Sequence, residues 1–117
     1  MREVEAILEE TSVFIDKLKN TGIYEEYRCA AEELRKVPEL KALADAFRKE
    51  RYRAYDALQE PVSFAAFADL EAKRLELDAY PEIKRYLQAE VALCRVLQEI
   101  QNRLTLAVSP EEDMVTP

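Results

Sequence analysis

PEIKRYLQAEVALCRVLQEIQNRLTLAV, from Pro81 to Val108, contains no glycine and no proline after its first residue. Proline at its head and Glu82 behind it suit the first turn of a helix, where the missing N–H costs nothing and an acid meets the positive end of the dipole. Unbroken, these 28 residues predict one helix of about 42 Å, longer than the roughly 30 Å diameter of a small domain. The apolar positions fall on two stripes, one of Ile83, Leu87, Val91, Cys94, Leu97, Leu104 and Val108, the other of Tyr86, Leu93, Val96, Ile100 and Ala107. A helix that is apolar on two faces needs two partners, and in a chain of this size one of them is expected to be another subunit.

Upstream, the same periodicity repeats between clear breakers. Val4, Ile7, Leu8, Thr11, Phe14, Ile15 and Leu18 hold helical spacing and predict a helix over Glu3–Lys19, closed by Asn20, Thr21 and a left-handed Gly22. A second helix is predicted over Ile23–Lys36, with Tyr24, Tyr27, Ala31 and Leu34 on one face. Pro38 opens a third, reaching Gln59 through Leu40, Leu43, Ala44, Phe47, Arg51, Ala54 and Leu58. After a break at Glu60, Pro61 and Val62, Ser63 is a natural N-cap for a fourth helix over Phe64–Ala79. The expected fold is therefore all-α, a bundle of about five helices with long third and C-terminal members. Residues 1–108 make a single domain and residues 109–117 a flexible acidic tail.

Charge narrows the function. The formal net charge is −7, opposite to the basic footprint that a phosphate backbone requires, so direct nucleic-acid binding is not expected. The one basic concentration, Arg48, Lys49, Arg51 and Arg53, is interrupted by Glu50 and reads as a solvated or inter-chain salt-bridging face. No stretch approaches the roughly 20 apolar residues of a membrane span, and the acidic start lacks a signal peptide's apolar core. A cytoplasmic protein without membrane insertion is expected. Cys29 and Cys94 lie inside predicted helices and read as reduced, buried structural thiols.

Catalytic chemistry finds few footholds. The chain has no histidine, which removes the commonest general base and metal ligand, and its single glycine rules out phosphate-cradling glycine loops. The enzymatic alternative is an all-α magnesium-dependent nucleotide (pyro)phosphohydrolase, which sets carboxylates three apart on a helix. None of the 24 acids here stands three from another, and the pairs four apart, Glu5/Glu9, Asp56/Glu60 and Asp78/Glu82, lie near helix ends or on charged outer faces. Glu32–Lys36, Asp45–Lys49, Asp69–Lys73 and Glu99–Arg103 are spaced as helix-surface ion pairs. No catalytic, metal or cofactor residue is therefore assigned.

The string from Gly22 to Phe47, with Tyr24-Glu25-Glu26-Tyr27, Ala31-Glu32-Glu33-Leu34 and Pro38-Glu39-Leu40, resembles the YlbF/YmcA family of small bacterial regulators. Tyr80-Pro81-Glu82-Ile83-Lys84-Arg85-Tyr86-Leu87 and the long helix after it are similar to that family's C-terminal helix, so the likeness covers about Glu3 to Val108. The resemblance implies a helical, dimer-forming, non-enzymatic regulator of competence, sporulation and biofilm formation. It also implies protein partners, namely paralogues and a complex of the endoribonuclease RNase Y that processes messenger RNA. Some members bind an iron–sulfur cluster through C-terminal cysteines, but here the tail SPEEDMVTP has none, and no cofactor is expected.

The contact residues follow from the stripes. With Ile83, Leu87, Val91, Cys94 and Leu97 facing their own subunit, Leu93, Val96, Ile100 and Ala107 are left for a homodimer interface. Tyr52 and Tyr55, close in sequence to Phe64 and Phe67 at the break between helices three and four, make a second candidate contact patch.

Overall fold

The computed structural model describes residues 1–56 and 63–108, which form five helices: α1 (Arg2–Lys19), α2 (Gly22–Arg35), α3 (Pro38–Asp56), α4 (Phe64–Leu77) and α5 (Pro81–Val108). The expected end of helix three at Gln59, the break at Glu60–Val62 and the acidic tail lie outside the described residues. Every other boundary falls within two residues of the position that breakers and caps indicate. Ser63 caps α4 by accepting the Ala66 N–H at 3.1 Å.

The joint between α1 and α2 is built differently from the expectation. Gly22 is the first residue of α2 and not a left-handed cap on α1. Thr21 does the work instead: its hydroxyl donates to the Leu18 carbonyl at 2.7 Å and accepts the Tyr24 N–H at 3.2 Å, ending one helix and starting the next. A threonine that serves both ends leaves no need for a residue with positive φ.

The core gathers Ala30 and Leu34 of α2, Ala44 and Phe47 of α3, Leu70 and Leu77 of α4, and Ile83, Tyr86, Leu87 and Ala89 of α5. α2 makes the most extensive contact with α5, and α3 joins α4 to the other two. α1 stands apart. None of its residues is buried, and it touches little beyond the start of α2. The radius of gyration of 18.0 Å exceeds the roughly 13 Å of a compact domain of this length, because α1 and the second half of α5 reach away from the core.

Along α5 the two expected stripes change membership. Leu93 is buried within its own subunit, whereas Val91, Cys94 and Leu97 are exposed. The inward face is Ile83, Tyr86, Glu90 and Leu93, and at 100° per residue the same face carries on through Leu97, Ile100, Leu104 and Val108. Glu90 is the reason for the error: a charged residue in the middle of the stripe splits an apolar reading in two. Beyond Leu93 cover from the described helices falls away, so Val96 and Ile100 are half-buried and Leu97, Leu104, Ala107 and Val108 are exposed. Cys94, turned to the side of this face, is exposed and Cys29 half-buried, so neither is the buried thiol expected.

Candidate interaction surfaces

Glu90 is 4% exposed and is the buried charged residue of the described core. A lone buried carboxylate is costly, so it must be paired. Arg48 Nε donates to Glu90 Oε2 at 2.6 Å, and Arg51 Nη2 donates to Glu90 Oε1 at 2.7 Å, so each oxygen has its own guanidinium. The arginines stand three apart on α3, hence on one face. Their planes also cover aromatic rings, Arg48 over Tyr86 at 5.8 Å and Arg51 over Phe47 at 5.7 Å. Partial burial works against the charge on Arg48, yet the Glu90 carboxylate and the nearby tyrosines hold its pKa above the usual arginine value.

Of the basic run, Lys49 and Arg53 are exposed as expected, whereas the guanidinium groups of Arg48 and Arg51 turn toward Glu90 on α5, which lies opposite them. Spacing four apart was also an unreliable guide to surface pairs. Asp45 pairs with Lys41 and not Lys49, and Lys36 pairs with Glu33 while Glu32 takes Arg28. Lys73 does hold Asp69, at 3.6 Å, and Arg103 holds Glu99, at 2.9 Å.

Next to this centre the Tyr86 ring packs on Tyr27 with centroids 5.7 Å apart. Burial pushes the Tyr86 hydroxyl well above the ordinary tyrosine pKa, Tyr27 adds to the shift, and Arg48 opposes it. The linkage has a definite sign. A raised folded pKa contributes stability fully below the unfolded value of about 10, and that contribution is lost as the pH rises through the folded value. In an ultraviolet pH titration Tyr86 should therefore ionise late, above the ordinary tyrosine range, together with alkaline unfolding. Tyr86→Phe should remove that late step; a variant that keeps it would assign the step elsewhere.

The aromatic residues singled out on either side of the α3–α4 break are all exposed. Tyr52 and Tyr55 line a hollow on α3 with Lys49 and Arg53. Tyr55 also borders the groove between α4 and α5, which Phe67 lines.

Further uncovered apolar surface lies on the two projecting helices. On α1, Val4, Ile7, Leu8, Phe14 and Ile15 are each more than 40% exposed. On α5, Leu97, Leu104 and Val108 are likewise more than 40% exposed. Among the described residues no group of three Cys, Asp or Glu side chains is placed to hold a metal ion. Nor, among them, is any helix long and apolar enough to cross a membrane.

No curated protein and no solved structure matches the sequence. Residues 7–109, nearly the whole chain, match the family described as control of competence regulator ComK, YlbF/YmcA, and the chain belongs to that family of regulators.

Proposed function

We propose that the chain is a non-enzymatic cytoplasmic regulator that acts by binding other protein chains. It pairs with a second copy of itself and, as the family likeness suggests, serves an RNase Y complex in messenger RNA processing during competence, sporulation and biofilm development. The observation that carries this reading is α1, an amphipathic helix of 18 residues none of which is buried. An isolated helix of that length is marginal in water and draws most of its stability from a packed apolar face, so α1 calls for a covering chain. The chemistry of the sequence agrees, since a chain without histidine lacks the commonest acid–base group.

A tagged chain expressed in its own host should co-purify with the RNase Y complex, and deletion of its gene should leave that enzyme's precursor transcripts uncut. Recovery of the chain without the complex, with transcripts processed normally, would reject the partner. Magnesium-dependent release of phosphate from nucleotides, following the protein peak through purification, would reject the non-enzymatic reading in favour of the hydrolase.

A further inference from the structure

α4 and α5 both lean on α3 and barely touch each other. Between them runs a groove of about 540 Å³. Its floor is apolar, made by Phe47, Leu70 and Leu87, and the half-exposed Phe67 and Val91 extend it upward. One wall is a single face of α5, Lys84, Gln88, Val91 and Arg95, and the other is a single face of α4, Phe67, Leu70, Glu71 and Arg74. Two helical walls over an apolar floor suit the apolar face of a third helix.

The rim specifies its charge. Arg74 is already neutralised by Glu71 at 3.1 Å and Asp78 at 3.3 Å, and Arg51 by Glu90. Lys84 and Arg95 are exposed and form no ion pair among the described residues. Eleven positions apart on α5, they stand roughly 16 Å from each other and within about 20° around the axis. Two free cations three turns apart along an apolar groove, on a chain of net charge −7, call for a helix with carboxylates at matching spacing. An RNA strand fits less well, because the floor offers nothing to phosphate and Glu71 and Asp78 would repel it.

The groove is separate from the surface proposed for self-association. Lys84, Gln88, Val91 and Arg95 point about 180° away from Tyr86, Leu93, Ile100 and Leu104 around the α5 axis. Nor does the chain's own α1 fill it. α2, which α1 contacts, sits on the Tyr86 side of α5, and no α1 residue lines the groove. We infer that the groove between α4 and α5 is a docking site for an acidic amphipathic helix of a partner protein, with Lys84 and Arg95 as its charge-reading residues.

The test uses three fluorescent probes: a leucine-faced helical peptide about five turns long with glutamates flanking the apolar stripe, the same peptide with lysines in their place, and an oligouridine. Fluorescence anisotropy against the full chain should show the glutamate peptide binding at least about tenfold tighter than the lysine peptide, and the oligouridine not binding. Lys84→Glu with Arg95→Glu should reverse the order of the two peptides while leaving helicity and mass by light scattering unchanged. Arg2→Glu with Lys19→Glu, which alters charge on α1 alone, should leave the order as it was. Equal affinity for both peptides, no binding of either, an order unmoved by the Lys84/Arg95 reversal, or tighter binding of the oligouridine would each overturn the assignment.

Discussion

Replacing Arg48 and Arg51 together by methionine should destabilise the fold by about 3–5 kcal/mol at neutral pH, measured by urea unfolding, while Glu90→Leu should cost about 1 kcal/mol or less. The asymmetry comes from where each charge can go. The Glu90 side chain is 6% exposed, whereas those of Arg48 and Arg51 are 41% and 32% exposed. Without its partners the carboxylate stays trapped in the core; without Glu90 the guanidinium groups can swing outward and keep their stems on the rings of Tyr86 and Phe47. Equal losses for the two variants would show that packing and not charge pairing holds this centre.

The same triad marks where the sequence was legible and where it was not. Helix positions could be read because the signals are local: Pro38 and Pro81 open helices, Ser63 caps one, and apolar spacing fills the rest. The pairing of Glu90 with α3 was not legible, because it depends on which helix lies opposite and joins residues about forty positions apart. A signal was nonetheless present. Glu90 occupies the core position between Tyr86 and Leu93 on a stripe otherwise apolar, and two arginines three apart on another helix are what such a position requires. The face assignments on α5 failed for the same reason, since excluding Glu90 from the stripe moved Leu93 outward and Cys94 inward. Tyr52 and Tyr55 were legible as exposed aromatics, but that Tyr55 also reaches the groove lined by Phe67 depends on how α4 packs and not on spacing along α3. Thr21 replaced Gly22 at the first joint because one hydroxyl satisfied two helix ends, a double role that no residue preference announces.

Ile100→Glu with Leu104→Glu should convert a dimer into a monomer, raising its dissociation constant by at least about a thousandfold, or roughly 4 kcal/mol. The two residues lie on the continuation of the α5 core face, past the point where cover from the described helices falls away, with Val96 and Ala107 at the edge of the same stripe. A two-fold interface buries each substituted position twice, and each fully desolvated aliphatic side chain is worth about 1.5–3 kcal/mol, so the expected loss is a conservative share of the available burial. Leu93, placed at this interface by spacing alone, is a poor probe because it is buried in its own subunit; Leu93→Glu should unfold the chain instead of separating two copies. Phe14→Glu on α1 should weaken association too, since that helix carries a second uncovered apolar face. Val91→Glu, on the opposite side of α5, should remain dimeric. Sedimentation velocity over a concentration series, with circular dichroism to verify helicity, distinguishes these outcomes. A wild-type chain that is monomeric at high micromolar concentration, or an Ile100/Leu104 variant that is folded and still dimeric, would mean that α1 and the end of α5 are covered by a different protein and not by a second copy.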